Sequence, residues 1–198
     1  MKSLYLRTGA VALACALGLA GCGGSSGQLL LGGTVVGVTK DTLVLQNNGA
    51  HDMSITASGT FYFNDLIGID EQYNVTVKSV PSNVDHCDVA NPSGRSAFNV
   101  TNVIVSCVLK THDVNATVSG LAGATGLVLV NGTTQVPVTA DTASGALLKL
   151  GSVGEDQPYG YAVLTQPAGR ICSIANGSGT MGSANISNVA ITCVSTAN

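Results

Sequence analysis

The feature that most constrains the fold of this 198-residue chain is an internal repeat with a spacing of about 85 residues. Residues 99–108 read NVTNVIVSCV, and residues 185–194 read NISNVAITCV. Upstream, CDVANPSG at 87–94 matches CSIANGSG at 172–179. Further matches lie before these segments: Leu43–Leu45 with Leu127–Leu129, Ala57–Gly59 with Ala143–Gly145, and Tyr73 with Tyr159. The repeat predicts two copies of one fold, since a solenoid needs three or more repeats.

Within each copy, apolar and polar residues alternate with the period of two that is typical of β-strands. Val103, Val105 and Cys107 share one face of a predicted strand, and Tyr73 and Val75 share a face of another, which Val77 continues. In the second copy the matching inward residues are Val189, Ile191 and Cys193. Asn-Gly pairs at 48–49, 131–132 and 176–177 indicate turns. With about seven strand candidates per copy and no helix pattern after residue 22, the sequence predicts an all-β chain of two tandem small β-sandwich domains.

The first 22 residues have the layout of a secretory signal. Lys2 and Arg7 precede an uncharged run at 8–19, which at about a dozen residues is too short to span a bilayer. Leu19-Ala20-Gly21-Cys22 resembles the lipobox of bacterial lipoproteins. The resemblance implies cleavage of a helical signal peptide before Cys22 and lipid attachment to that cysteine. Since no Asp follows Cys22, it also implies the outer membrane of a Gram-negative bacterium, on either face. The alternative is an ordinary signal peptide with a chance cysteine.

These predictions divide the chain into a signal peptide at 1–21, a lipidated flexible tether at 22–32, and β-sandwich repeats at 33–109 and 110–198. Cys15 leaves with the signal, so four cysteines remain in an oxidising compartment, where disulfides are expected. They allow three pairings. The duplication favours bridges within the copies, and bridges between the copies stay open. The favoured pairs are Cys87–Cys107 and Cys172–Cys193.

A broader resemblance rests on segments at 33–37, 61–63 and 73–77, which read GTVVG, FYF and YNVTV. Together with the Leu-Val-Leu and Asn-Gly motifs between them, they are similar to repeats of bacterial cell-surface lipoproteins. The likeness extends more loosely to transthyretin-like and immunoglobulin-like surface modules. The resemblance implies strands and turns, and it brings no functional residues. Because the chain has no Trp for an immunoglobulin-type core, the topology stays open.

Few residues suggest chemistry. Asp85-His86-Cys87-Asp88 could be a metal site, but its counterpart at 169–173, GRICS, has no such ligands, which favours a polar turn. His51 and His112 have no neighbouring ligand at zinc spacing. Asp70-Glu71 and Glu155-Asp156 could bind calcium, but two carboxylates are too few for a cation that takes six or more oxygens. Without a nucleophile elbow, phosphate loop or dinucleotide motif, the sequence predicts a non-enzyme with no metal or cofactor.

Composition narrows the partners. Removing residues 1–21 takes away two of the eight Lys and Arg residues and none of the eleven Asp and Glu residues, which leaves a net charge of −5 and argues against nucleic acid. The predicted function is a membrane-anchored envelope module for adhesion or scaffolding, with a membrane partner through its lipid and an unidentified protein or envelope partner. The alternative is a lipoprotein that binds a small ligand or carbohydrate. Burial of Tyr73 and Tyr159 would weigh against it, because sugar sites present aromatic faces.

Overall fold

The computed structural model describes residues 27–40, 42–139 and 146–196, which form sixteen β-strands in two units of eight. The strands of the first unit are β1 Leu31–Val36, β2 Leu43–Asn47, β3 Ala50–Ile55, β4 Gly59–Tyr62, β5 Gln72–Ser79, β6 Val84–Ala90, β7 Ser93–Arg95 and β8 Val100–Leu109. The strands of the second unit are β9 Thr111–Ser119, β10 Leu127–Asn131, β11 Thr134–Val138, β12 Leu147–Gly154, β13 Pro158–Thr165, β14 Arg170–Ala175, β15 Ser178–Thr180 and β16 Ile186–Ser195. The described residues contain no helix, and so none that could cross a membrane.

Each unit is a sandwich of two four-stranded sheets. The sheets of the first unit have the orders β4-β1-β8-β6 and β3-β2-β5-β7. Those of the second unit are β12-β9-β16-β14 and β11-β10-β13-β15, which is the same topology with each strand number raised by eight. One cluster of buried side chains from both sheets forms the core of each unit. The prediction of an all-β fold with two tandem sandwiches is confirmed, with eight strands per unit instead of about seven.

The predicted strand phases are also confirmed. Val103 and Val105 are fully buried, while Ile104 between them is exposed. Tyr73 and Tyr159 occupy the same buried position in β5 and β13, with 8% of each residue exposed. Asn48 and Gly49 form the turn between β2 and β3, both with positive φ, as expected for an Asn-Gly hairpin. Local alternation therefore determines which side chains form the two cores.

The first and last strands of each unit lie side by side and run parallel, β1 with β8 and β9 with β16. The chain consequently enters a unit at the end where its first strand begins, here called the entry end. It leaves at the opposite end, here called the exit end, where the last strand finishes. Lys110 alone separates β8 from β9, so the exit end of the first unit adjoins the entry end of the second.

The structure contains two disulfide bonds, Cys87–Cys107 and Cys172–Cys193, one in each unit. Each bond joins directly opposed residues of neighbouring antiparallel strands, β6 with β8 and β14 with β16. Each disulfide therefore lies within a single sheet of its own unit, whereas the disulfide of an antibody domain joins the two sheets of the sandwich. Between its cysteines, each disulfide loop carries a three-residue strand, β7 or β15, that pairs with the opposite sheet. Each disulfide thus closes the loop in which the chain crosses to the opposite sheet and returns.

The fold begins earlier than the predicted boundary at residue 33. Leu29 forms a β-bridge with Ile67, and β1 starts at Leu31, which is fully buried. Leu29 and Leu31, assigned to the tether from the sequence, belong to the first sandwich because their side chains pack in its core. The predicted signal peptide and Cys22 lie outside the described residues.

Candidate functional site

Cys22, the predicted lipid attachment residue, precedes the first described residue, Gly27, by five positions. The entry end of the first unit is therefore the part of the described fold that lies nearest to Cys22 along the chain. The remaining candidates from the sequence are the histidines, the two acidic turns and the aromatic residues. Each of them has a defined position in the fold.

His86 forms an exposed surface ion pair. Its Nδ1 lies 2.8 Å from Oδ2 of Asp85, and its Nε2 lies 3.8 Å from Oδ2 of Asp88. The hydrogen bond with Asp85 raises the pKa of the His86 imidazole. Cys87 is bonded to Cys107 and offers no thiolate. In the described part of the chain, no group of three or more His, Cys, Asp or Glu residues could hold a metal ion.

The two acidic turns share one backbone conformation. Asp70 and Asp156 both have positive φ, at 58° and 63°. Their N–H groups donate to the carbonyls of Ser96 and Met181, at 2.7 Å and 2.9 Å. In the first unit the Asp70 carboxylate pairs with Arg95 at 3.2 Å. The turn is thus a repeated structural element that is solvated in the first unit.

In the second unit the same turn is part of the contact between the units. Oδ2 of Asp156 accepts a hydrogen bond from Nδ2 of Asn83 at 2.8 Å and pairs with Nζ of Lys40 at 3.0 Å. Asn83 is fully buried, and its Nδ2 also donates to Oγ1 of Thr39 at 2.7 Å. The Lys110 N–H donates to the Asn83 carbonyl at 2.9 Å. These five residues form a polar cluster, hereafter the junction.

A second contact extends the junction into the second unit. The Glu155 N–H donates to the carbonyl of Lys110 at 2.8 Å, so the linker residue is bonded to both units. The Glu155 side chain is buried, with 7% of the residue exposed, and its Oε1 lies 2.9 Å from Nε2 of His112. The prediction of a solvated turn is therefore wrong for Glu155-Asp156, because the first unit covers this turn.

The sequence carries a signal for part of the junction in the alignment of its two copies. At the exit end of the second unit, the Thr196 N–H donates to the Gly169 carbonyl at 3.1 Å, as Lys110 does to Asn83 in the first. The repeat therefore aligns Asn83 with Gly169 and Lys110 with Thr196. Asn83 and Lys110 are thus positions at which the first copy departs from the second, whereas Asp156 has Asp70 as its counterpart.

Loss of the Asp156 carboxylate should loosen the two units. In an Asp156→Ala variant, the buried Asn83 amide loses an acceptor, and its Oδ1 already has no hydrogen-bond partner. We expect a loss of about 1–3 kcal/mol in the free energy of unfolding, together with greater motion between the units. Asp70→Ala is the matched control, because it changes the same positive-φ turn without a junction contact. Chemical denaturation and NMR residual dipolar couplings measure both effects. Equal losses from the two substitutions would contradict the role of the junction.

Most aromatic rings of the described residues are buried in the two hydrophobic cores. Both ring contacts in the described residues, Phe61 with Phe63 and Tyr159 with Tyr161, join buried side chains. Burial also raises the pKa of the Tyr161 phenol. With Tyr73 buried as well, Tyr62 and Phe98 are the exposed aromatic residues of the described chain. The burial of Tyr73 and Tyr159 weighs against the carbohydrate alternative.

Comparison with known proteins finds no matching family model and no match among curated proteins. Among solved structures, the chain is similar to the TIE protein of Bacillus anthracis, with 12% identity, a TM-score of 0.45, and coverage of 84% of this chain and 34% of that one. It is also similar to GBS52, the minor pilin of Streptococcus agalactiae, with 12% identity, a TM-score of 0.28, and coverage of 85% and 98%. The chain thus spans about a third of the length of the Bacillus anthracis protein. Neither likeness assigns a function.

Proposed function

We propose that this protein is a lipoprotein of the bacterial cell envelope whose two sandwich units form a non-enzymatic module for adhesion or scaffolding. Lipid on Cys22 would hold the chain to the outer membrane, with the Gly/Ser-rich residues 23–27 between the anchor and the fold. Several acyl chains would make a firm anchor, whereas one chain alone binds a membrane reversibly. A protein or another envelope component would be the partner.

The observation that carries this proposal is the end-to-end connection of the units. Because β1 and β8 are parallel, the end that adjoins the anchor lies opposite the end that adjoins the second unit. Strands of ten residues, such as β8, span about 33 Å. The first unit would therefore act as a spacer that holds the second unit away from the membrane.

The junction supports the same proposal. A freely jointed linker would let the second unit swing, whereas Lys110 is hydrogen-bonded on both sides and Asp156 is bonded to the first unit. A spacer needs such a connection to keep the far unit at a fixed distance and orientation. The disulfides contribute to the same rigidity, since each ties the last strand of a unit to its neighbour.

The anchoring part of the proposal is tested with Cys22→Ala in the full precursor. We expect this substitution to abolish metabolic labelling with palmitate and to release the protein from the outer-membrane fraction, because no other residue is proposed to carry lipid. Cys15→Ala is the matched control, since it changes a cysteine of the signal peptide and should leave labelling and fractionation unchanged. Labelling that persists in Cys22→Ala would overturn the proposal.

A further inference from the structure

Four exposed apolar side chains lie at the entry end of the first unit. Leu30 is 38% exposed, Leu66 43%, Ile69 60% and Phe98 81%. Exposure of apolar side chains to water is unfavourable, and a group of exposed apolar side chains marks a surface that contacts a protein or a membrane. These four residues are called the entry rim below.

Backbone contacts bring the entry rim together from three segments of the chain. Leu29 and Ile67 exchange two N–H to carbonyl hydrogen bonds, at 2.8 Å and 3.0 Å, and Leu30 and Leu66 are their chain neighbours. Oδ1 of Asn99, which follows Phe98, accepts the Leu30 N–H at 2.9 Å. Ile69 lies against Gly27, the first described residue. A Cβ added to Gly27 would lie only 2.7 Å from Cδ1 of Ile69. The rim therefore lies beside Gly27, the first described residue, which follows Cys22 by five positions.

The second unit provides an internal comparison. Its Asn185 Oδ1 accepts the Asp113 N–H at 2.9 Å, as Asn99 does for Leu30, which aligns Asp113 with Leu30 and Ala184 with Phe98. With Tyr159 aligned with Tyr73, Ser152 aligns with Leu66 and Glu155 aligns with Ile69. Each apolar residue of the entry rim thus has a polar or small counterpart. The entry end of the second unit adjoins the first unit, and its Glu155 N–H donates to the Lys110 carbonyl, whereas no unit precedes the entry rim among the described residues.

The predicted anchor identifies what lies against the entry rim. Five residue steps separate Cys22 from Gly27, so Gly27, which lies against Ile69 of the rim, stays within about 18 Å of the lipidated cysteine. Each nearby carboxylate has a partner: Asp70 pairs with Arg95 at 3.2 Å, Asp65 lies 2.7 Å from the His51 ring, and Glu71 accepts the Gly68 N–H. The exposed side chains of the rim itself are apolar, and the carboxylates beside them are held by hydrogen bonds or an ion pair. Both properties suit contact with a lipid surface.

We infer that the entry rim docks on the membrane surface that holds the anchor, so that Phe98, Ile69 and Leu66 contact lipid and the protein stands on its first unit. The inference rests on the proposed function, because the short connection to Cys22 keeps the rim at the bilayer. Docking would fix the tilt of the first unit, and the junction would pass that orientation to the second.

The experiment uses the absence of Trp from the chain, which makes any introduced indole a unique fluorophore. Full-length lipidated Phe98→Trp and Ala184→Trp proteins are reconstituted into phosphatidylcholine–phosphatidylglycerol vesicles with brominated acyl chains. The two positions are equivalent in the repeat and exposed, which makes the second a matched control. We expect bromine to quench the indole at position 98 at least about twofold more strongly than that at position 184. Leu66→Ser and Ile69→Glu introduce the residues that the second unit carries at these positions. Added to Phe98→Trp, they should remove the difference in quenching between positions 98 and 184.

Vesicle flotation separates the two possible failures. If the protein floats with the vesicles and quenching is equal at positions 98 and 184, anchoring stands and docking of the rim is overturned. If the protein does not float, the proposed anchoring is overturned, and this inference with it. Sedimentation of the soluble Cys22→Ala chain should give a monomer. A dimer that Ile69→Glu dissociates would overturn the inference by assigning the rim to a second copy.

Discussion

Replacing Gly120 with Ala should destabilise the second unit by about 3 kcal/mol or more. Gly120 follows β9 with φ of +72°, a conformation that L side chains rarely adopt. A Cβ there would lie 2.0 Å from the carbonyl oxygen of Cys193, in the adjacent strand β16. That oxygen cannot withdraw without moving the strand that carries the disulfide. The cost therefore combines backbone strain with displacement of a central strand.

Gly123→Ala separates these two contributions. Gly123 has a similar φ of +80°, but a Cβ there would meet nothing within 4 Å, so only the strain of about 1 kcal/mol applies. Hydrogen exchange of the β16 amides measures the stability of the second unit, with the β8 amides of the first unit as an internal reference. Equal losses from Gly120→Ala and Gly123→Ala would contradict the proposed contact. Gly37, whose added Cβ would lie 2.1 Å from the Cys107 oxygen, should behave in the first unit as Gly120 does in the second.

Removing a disulfide should cost more in the second unit than in the first. The bonds close loops of 20 and 21 residues, so loop-closure entropy contributes about 3 kcal/mol to each unit. Cys172 and Cys193 are 4% exposed, whereas Cys87 and Cys107 are only partly buried. The paired substitution Cys172→Ser with Cys193→Ser therefore also buries two hydroxyl groups in the core, which adds about 1 kcal/mol or more.

Thermal unfolding of the two double-serine variants, followed unit by unit through hydrogen exchange, measures this difference. We expect each substitution to destabilise mainly its own unit, by about 3 kcal/mol in the first and about 4 kcal/mol in the second. The first-unit variant, Cys87→Ser with Cys107→Ser, is the control for the entropic part. A larger loss in the first unit than in the second would contradict the role assigned to burial.

The sequence predicts the local elements of this fold well, because alternation and turn chemistry are properties of neighbouring residues. Val103, Val105 and Tyr73 face the core as their phase indicates. The repeat also predicts that both units share one topology. Tyr159 occupies in β13 the position that Tyr73 has in β5, and it is equally buried.

The features that the sequence does not predict depend on distant contacts. The parallel pairing of β1 with β8 has no local signature in the sequence, although it determines that the chain enters and leaves the first unit at opposite ends. The strands β7 and β15 have three exposed residues each and show no apolar alternation. Glu155-Asp156 looks like any acidic turn, and its burial depends on Asn83, 73 residues away from Asp156. A comparison of the two copies marks Asn83, which aligns with Gly169, but it does not mark Asp156, which aligns with Asp70.

The most direct test of the central claim is the mass of the N-terminal peptide of the protein purified from membranes. We expect the mature chain to begin at Cys22 and to carry a diacylglycerol thioether and an acylated amine. Protease digestion and mass spectrometry should then find a lipid-modified peptide that starts at this cysteine. An unmodified N-terminus, or cleavage at another residue, would contradict the account.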